Sequence, residues 1–313
     1  MNPVKADFAN VPKAKPFLKW AGGKSQLLSQ FHNLYPLALK EHKLNRYVEP
    51  FVGGGAVFFD VMQTYKIESA FLYDINWDLI IAYNVVKSNV EDLISVLQGI
   101  AEDYLQRSEL ERKEFYYALR QRYNQNKQAL DHHCYSGQWL QQTALLLFLN
   151  RTCFNGLFRL NHQGEFNVPH GRYKNPKILD AQNLLAVAQL LKNVEIKWGD
   201  FEVCAQHINS NTFVYFDPPY RPLNRTANFT TYSTFTFNDQ QQHRLSLFFR
   251  HLDQSSGAKL MLSNSDPHNE NSDDDFFEIL YQDYRIYRVQ AHRMINSNAQ
   301  KRGFIKELVI VNY

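Results

Sequence analysis

The sequence predicts an α/β fold in which an open, largely parallel sheet carries a helical insertion. Two observations support this class. Short apolar runs at residues 47–51, 70–76 and 212–217 end in glycines, prolines or acids, as buried parallel strands do where they reach a loop. Residues 80–149 instead show helical periodicity without a strand-like run. We therefore expect a sheet of alternating strand and helix units that is interrupted by a helical insertion.

Length and composition set the outer bounds of the prediction. A chain of 313 residues suits one large domain, or one domain with an insertion of about a hundred residues, and 44% apolar residues supply a core. No apolar run is long enough to span a membrane, and the first 16 residues lack the apolar segment of a signal peptide. We therefore expect a cytoplasmic protein without a membrane partner.

Cysteine and histidine positions argue against a metal centre. Cys153 and Cys204 are scattered single residues, which indicates neither a disulfide framework nor a zinc site. His132-His133-Cys134 has no second cluster at ligand spacing. No metal is expected.

Basic residues are concentrated in two stretches, although the net charge is only +3. Residues 150–177 carry five basic side chains against one acid, and residues 281–313 carry six against two. Two such clusters on a nearly neutral chain are able to line a phosphate-binding groove. Taken alone, they would more simply be solvated faces.

The first predicted strand is followed by a glycine-rich turn, and the next strand ends in an acid. Residues 46–62 (RYVEPFVGGGAVFFDVM) predict a strand, a turn at Gly53-Gly54-Gly55 and a helix from Ala56, an arrangement that brings backbone close to a cofactor. Asp74 closes the next strand about twenty residues later, where an acid accepts hydrogen bonds from ribose hydroxyls. This pattern alone suits a nicotinamide dinucleotide enzyme equally well. We expect Asp78, on the following helix, to be solvated.

Residues 150–173 predict a hairpin. Asn-Gly at 155–156 and Gln-Gly at 163–164 separate aromatic and aliphatic runs. A hairpin that carries arginine and apolar side chains can enter the major groove, where arginine pairs with guanine. A purely structural hairpin is the alternative.

The segment that organises the chain is TFVYFDPPY, at residues 212–220. Its strand ends at Asp217-Pro218-Pro219-Tyr220, the edge at which open α/β sheets bind ligands. Asp217 and the Pro218 carbonyl offer acceptors beside the Tyr220 ring, a combination that fits a planar heterocycle with an exocyclic amino group.

Together these motifs resemble the Dam-type (alpha group) DNA adenine-N6 methyltransferases. DPPY matches the catalytic tetrapeptide of that family, and FLKWAGGK at residues 17–24, EPFVGGG at 49–55 and DIN at 74–76 match its cofactor motifs. The resemblance implies a Rossmann-like S-adenosylmethionine-dependent methyltransferase sheet with an inserted helical and β-hairpin DNA-recognition domain. It covers nearly the whole chain apart from the leader and the details of the helical insert.

The resemblance also implies site residues. Expected catalytic residues are Asp217, Pro218, Pro219 and Tyr220. Expected S-adenosylmethionine contacts are Trp20, Lys24, Glu49, Phe51, Gly53, Gly55, Asp74, Asp200, Phe201 and Asp217. Expected contacts to double-stranded DNA are Asn155, Leu157, Arg159, Pro169 and Tyr173, with Arg159 reading guanine. In physical terms an aromatic face attracts a sulfonium, and a lysine pairs with the methionyl carboxylate.

The expected division is a catalytic domain at residues 1–80 and 190–313, interrupted by a target-recognition domain at 81–189. The expected reaction is methylation of a flipped adenine, with GATC as the target. GATATC or another sequence, cytosine-N4 transfer and a DNA-binding module without turnover remain alternatives, whereas the lack of GxGxxG disfavours a nicotinamide oxidoreductase. A cognate restriction endonuclease is a possible partner.

Overall fold

A computed structural model describes residues 12–221, 237–292 and 304–313 of the chain. Within these ranges seven strands form one sheet. The strands are β1 (Arg46–Glu49), β2 (Ser69–Asp74), β3 (Val194–Trp198), β4 (Thr212–Phe216), β5 (Lys259–Ser265), β6 (Arg285–His292) and β7 (Phe304–Val311).

The strand order is β3-β2-β1-β4-β5-β7-β6. All neighbouring pairs from β3 to β5 are parallel, and β7 runs antiparallel between β5 and β6. The order reverses between β1 and β4, which is where sheets of this type open a crevice at the carboxyl ends of their strands. The mixed α/β class predicted from the sequence is confirmed.

Ten α-helices occur in the described ranges: α1 (Leu28–Leu34), α2 (Leu37–Lys40), α3 (Ala56–Thr64), α4 (Trp77–Ser88), α5 (Val90–Leu105), α6 (Glu109–Ala129), α7 (Gly137–Thr152), α8 (Ala181–Leu191), α9 (Asp239–Ser256) and α10 (Phe276–Leu280). The long helices of the insertion fall where the sequence placed them. Helix α9 begins after Asn238, whose side chain accepts from the Gln241 amide at 3.1 Å, because a polar side chain there satisfies an orphan donor of the first turn.

The sheet has a hydrophobic cluster on each face. Alternation along β1 and β4 places Tyr47 and Tyr215 in one cluster and Val48 and Val214 in the other, since successive side chains of a strand point to opposite faces. The buried residues of α5, α6 and α7 belong to the first cluster. The insertion therefore shares a continuous core with one face of the sheet.

The hairpin at residues 153–170 is closed by two isolated antiparallel bridges, Cys153 to His170 and Leu160 to Phe166. Asn155 and Gly156 have φ of 57° and 65°, the left-handed conformation that Asn-Gly turns favour. The hairpin lacks a continuous ladder of hydrogen bonds because α6 bonds part of its backbone. Tyr116 Oη, on α6, donates to the Val168 carbonyl at 2.8 Å.

One expectation about α4 is wrong. Asp78 is only 6% exposed rather than solvated, since α6 packs over the start of α4. Tyr123 Oη and Lys127 Nζ both donate to its carboxylate at 2.6 Å. A buried carboxylate needs such partners, and this one ties the insertion to the segment that follows Asp74.

Two of the sequence-based predictions stay open. Helix α4 crosses the expected domain boundary at residue 80 and α8 crosses that at residue 189, so the division into domains remains a prediction. Arg293, Lys301 and Arg302 of the second basic stretch lie outside the described residues. Among the described helices, none combines the length and apolarity required to cross a membrane.

Candidate active site

A cavity of about 970 Å³ opens at the carboxyl ends of β1, β2 and β4. Every residue that the sequence assigned to catalysis or to the cofactor lines it. These residues are Trp20, Lys24, Glu49, Phe51, Gly53, Gly55, Asp74, Asp200, Phe201, Asp217, Pro218, Pro219 and Tyr220. Segments separated by up to two hundred residues therefore meet in one space.

Asp217 lies directly after β4 and faces Lys24. Its Oδ1 atom accepts from Lys24 Nζ at 2.8 Å and from Ser263 Oγ, on the neighbouring strand β5, at 3.2 Å. Burial raises the pKa of the Asp217 carboxyl above its usual value, and the Lys24 ammonium opposes that rise. The two described contacts fall on the same oxygen of the carboxylate.

Lys24 is almost completely enclosed, with 3% of its surface exposed. Besides Asp217, its ammonium donates to the Gly22 carbonyl at 2.6 Å and lies 4.6 Å from the centre of the Tyr220 ring. The sequence assigned Lys24 to a cofactor carboxylate, and the structure places it against the catalytic tetrapeptide.

Tyr220 and Pro219 are held from outside the tetrapeptide. Tyr220 Oη donates to Oε2 of Glu307 on β7, and Gln242 Nε2 of α9 donates to the Pro219 carbonyl at 3.0 Å. Burial raises the pKa of the Glu307 carboxyl. The Asp217–Tyr220 tetrapeptide is thus held by contacts from β7 and α9.

The glycine turn wraps around Asp74. Gly53 N donates to Asp74 Oδ2 at 3.0 Å and Asn76 N donates to Oδ1 at 2.9 Å. Gly53 has φ of 45°, and a Cβ there would lie 3.0 Å from Trp20 Cδ1, so glycine is required for both the conformation and the close approach. Burial raises the pKa of Asp74 to about 6.

Glu49 is a buried carboxyl at the end of β1. It accepts from Tyr47 Oη at 2.8 Å, and burial raises its pKa well above the ordinary value. A cationic ligand bound nearby would oppose that rise and favour the Glu49 carboxylate, which lies in the same wall as Asp74 and Asp217.

The far wall of the cavity is aromatic. Phe51 and Phe201 lie with ring centres 5.5 Å apart. Asp200 accepts from Arg244 Nη1 at 3.0 Å, and the same guanidinium lies 4.4 Å from the Phe201 ring centre. The Asp200 carboxylate, which the sequence assigned to S-adenosylmethionine, is therefore already paired with Arg244 of α9.

The cavity and the hairpin touch at Trp20, whose ring stacks on Phe158 at 4.8 Å with 29° between the planes. Asn150 at the end of α7 holds the adjoining segment, accepting from Lys19 N at 2.8 Å and donating to Lys19 O at 2.9 Å. The segment at Lys19 and Trp20 is thereby joined to the hairpin by packing and to α7 by hydrogen bonds.

The hairpin presents the five residues assigned to DNA on its outer surface. Asn155, Arg159 and Pro169 are exposed, whereas Leu157 and Tyr173 are half-buried. Arg159 Nε donates to Asn167 Oδ1 at 2.7 Å, and Tyr173 Oη accepts from Asn155 N at 3.0 Å. Of the five, Tyr173 approaches the cavity: Nζ of Lys19, one of the lining residues, lies 5.8 Å from the Tyr173 ring centre.

Sequence reasoning missed four residues that contact the predicted site: Ser263, Gln242, Arg244 and Glu307. Each lies in an ordinary strand or helix pattern without a motif of its own. Only the antiparallel placement of β7 beside β5 brings Glu307 to Tyr220, and no spacing in the sequence encodes that contact.

Among the described residues one group of side chains has metal-ligand proximity, namely Asp266, His268 and Glu278, outside the cavity. Arg288 occupies it: its Nε donates to Asp266 at 2.9 Å, and its Nη2 contacts His268 Nδ1 at 3.0 Å and Glu278. The positively charged guanidinium of Arg288 thus lies among the three side chains that could otherwise hold a metal ion.

Comparison with known proteins gives the family. A model of the D12 class N6 adenine-specific DNA methyltransferase matches residues 20–295. The chain is 50% identical to the Type II methyltransferase M.MjaIII of Methanocaldococcus jannaschii, over 96% of this chain and 100% of that protein. It is 36% identical to the Type II methyltransferase M1.LlaDCHI of Lactococcus lactis subsp. cremoris (96% and 95% covered) and 32% identical to the DNA adenine methylase of Haemophilus influenzae (99% and 98%).

The family match spans both the cofactor motifs and the catalytic tetrapeptide that line the cavity. The resemblance inferred from the motifs is confirmed. The chain belongs to the D12 class of adenine-specific DNA methyltransferases, which transfer a methyl group from S-adenosylmethionine to adenine in DNA.

Proposed function

We propose that this enzyme methylates the exocyclic amino group of an adenine flipped out of duplex DNA, within the sequence GATC. The observation that carries the proposal is the position of Asp217 and Tyr220 in a cavity whose edge is joined, through Trp20 and Phe158, to the exposed hairpin bearing Arg159. The target sequence is supported by the likeness of that hairpin to those of Dam-type enzymes.

The cavity suits the methyl donor. Its volume is at the upper end of the range of about 300–1,000 Å³ for small-molecule sites, which leaves room for an extruded base beside the cofactor. Glu49 and Asp217 favour a sulfonium cation, and Asp74 offers a carboxylate to the ribose hydroxyls. S-adenosylmethionine, when bound, supplies an electrophilic methyl group.

Asp217 and the Pro218 carbonyl activate the adenine. The lone pair of the exocyclic nitrogen is delocalised into the ring, so the nitrogen is a weak nucleophile. Two acceptors aimed at its hydrogens favour a pyramidal nitrogen and stabilise the positive charge that develops as the nitrogen–carbon bond forms and the sulfur–carbon bond of the donor breaks. The methylated nitrogen then releases one proton to solvent. Because Lys24 and Ser263 both bond Oδ1 of Asp217, we assign Oδ2 to the adenine.

Tyr220 and the hairpin account for DNA binding. Flipping a base costs about a few kcal/mol, which stacking on Tyr220 and phosphate contacts must offset. Arg159 reaches the guanine of the target through the major groove, where its forked donors match the two acceptors of that base. Asn155, Leu157, Pro169 and Tyr173 complete the contact surface.

The test is a protection assay. Purified enzyme is incubated with S-adenosylmethionine and unmethylated plasmid, and the DNA is then challenged with an endonuclease that methylated GATC blocks. Wild type should protect the plasmid, and Asp217→Ala should lose about 10²–10³-fold in rate, the scale for removing one preorganised electrostatic group. The exposed Asp273→Ala serves as the charge-matched control and should protect normally.

The outcomes separate the parts of the proposal. Methyl incorporation without protection would reject GATC and keep the chemistry, with GATATC as the next sequence to assay. Full activity in Asp217→Ala would reject the assigned mechanism. Cofactor binding without any incorporation would favour a DNA-binding module.

We further propose that a cognate restriction endonuclease accompanies this enzyme. Two relatives carry the name Type II methyltransferase, which supports the pairing. Extracts of the source cells should cleave unmethylated plasmid and spare plasmid treated with the purified enzyme. Equal survival of both plasmids would contradict a paired endonuclease.

A further inference from the structure

We propose that Glu307 is a positioning residue for methyl transfer: its carboxylate fixes the hydroxyl of Tyr220 and so sets the plane on which the adenine stacks. This inference rests on the proposed function in one respect, the assignment of Tyr220 to the flipped base. It concerns how that ring is held and does not depend on which DNA sequence is methylated.

The contact joins two distant parts of the chain. Tyr220 follows β4, whereas Glu307 lies on β7, where it pairs with Ser265 of β5 and Val289 of β6. Tyr220 Oη donates to Glu307 Oε2, and Glu307 is only 8% exposed. A carboxyl acceptor shielded from water holds a phenol more firmly than solvent does.

Lys24 restrains the same ring from a second direction. Its ammonium lies 4.6 Å from the ring centre while it pairs with Asp217 at 2.8 Å. The ring is therefore held at its hydroxyl by Glu307 and on one face by Lys24, and we assign the opposite face to the base. Donation from the phenol to a carboxylate also enriches the ring in electrons and strengthens its attraction for the ammonium.

The backbone of the tetrapeptide cannot supply this restraint by itself. Gln242 fixes the Pro219 carbonyl, but a tyrosine side chain still rotates about two torsions unless its tip is anchored. Methyl transfer requires the amino nitrogen in line with the methyl group, and small misplacements of a reacting group lower rates strongly. Glu307 restricts this rotation at the far end of the ring.

The experiment is a double-mutant cycle on Tyr220 and Glu307. Single-turnover methyl transfer and the fluorescence of 2-aminopurine placed at the target adenine are measured for wild type, Tyr220→Phe, Glu307→Ala, Glu307→Gln and the Tyr220→Phe/Glu307→Ala double variant. The duplex used is whichever sequence the wild type methylates, so a failure of the GATC assignment leaves this test intact.

We expect Glu307→Ala to lower the single-turnover rate by about 10- to 100-fold. S-adenosylmethionine affinity should change less than about twofold, because Glu307 does not line the cofactor cavity. Glu307→Gln keeps an acceptor oxygen and should restore most of the rate. Tyr220→Phe keeps the ring and loses the hydroxyl, so the double variant should be no slower than the slower single variant.

Glu278→Gln is the matched control, since this carboxyl contacts Arg288 outside the cavity. It should alter stability without changing the rate or the fluorescence. A Glu307→Ala rate within twofold of wild type would overturn the proposal, as would additive losses in the double variant. An unchanged 2-aminopurine signal in a slowed Glu307→Ala enzyme would also overturn it, because the base would then be stacked as before.

Discussion

The cavity and the hairpin that we propose to read DNA are built in opposite ways. The cavity collects buried side chains at the ends of parallel strands, and its acids already have protein partners: Asp217 is bonded to Lys24, and Asp74 to the glycine turn. Of the five residues assigned to DNA, Asn155, Arg159 and Pro169 are exposed, and Arg159 contacts only its neighbour Asn167 among the described contacts.

The ligands that we propose for the two regions account for this difference. The cofactor is the same for every member of the family, so a preorganised, water-excluded site is suited to it. A hairpin held by two bridges and by α6 leaves its outer side chains free to meet base edges. We therefore expect substitutions in the cavity to alter chemistry and cofactor affinity, and substitutions on the hairpin to alter the choice of DNA.

Arg159→Ala gives the largest expected effect within this comparison. Loss of a forked guanine contact should cost about 1–3 kcal/mol of discrimination, or roughly 5- to 150-fold in the ratio of kcat/KM for the target over a sequence lacking its guanine. Steady-state methylation of the two duplexes measures this ratio. The exposed Arg122→Ala on α6 removes the same charge and should keep it. Equal losses on both duplexes would make Arg159 a phosphate contact instead.

Cofactor affinity should depend on pH through Asp74. Its folded-state pKa of about 6 lies above the ordinary value of 3.8, so burial favours the protonated form and the carboxylate is ionised only above about pH 6. Ribose hydroxyls need the ionised acceptor. S-adenosylmethionine affinity should therefore be constant above pH 7 and fall by roughly tenfold per pH unit well below 6.

Calorimetric titration between pH 5 and 8 measures that dependence. Asp74→Asn cannot ionise, so it should bind weakly and lack this dependence. The stability of the cofactor-free enzyme should move in the opposite direction, with the Asp74 contribution to the free energy of unfolding decreasing as pH rises from about 4 to 6. Identical pH profiles for wild type and Asp74→Asn would remove Asp74 from the ribose site.

Phe158→Leu tests the contact between the two regions and should have the smallest effect. Loss of the ring stacked on Trp20 should weaken S-adenosylmethionine binding by about 2- to 12-fold, the value of an aromatic pair beyond its buried area. Phe154→Leu, on an exposed residue of the same hairpin, is the control and should bind normally. Equal affinities in the two variants would show that the hairpin does not support the cofactor loop.

Local chemistry explains why much of the cavity was predictable. Three sequence features each indicate the end of a strand: a glycine turn, an acid and Asp-Pro-Pro-Tyr. The carboxyl ends of the strands of a parallel sheet lie at one edge. Asp78 shows the limit of this approach. Asp78 follows Asp74 at the start of α4, and its position in the sequence predicts exposure. It is buried because α6, more than thirty residues later, packs over it.

The sequence by itself determined the family and identified thirteen of the residues that line the cavity, because these follow from short motifs with their own backbone chemistry. The tertiary structure alone decided the pairing of Lys24 with Asp217, of Arg244 with Asp200 and of Glu307 with Tyr220. Those contacts join segments that lie far apart in the chain, and only the packing of helices and antiparallel strands against the sheet determines which side chains meet.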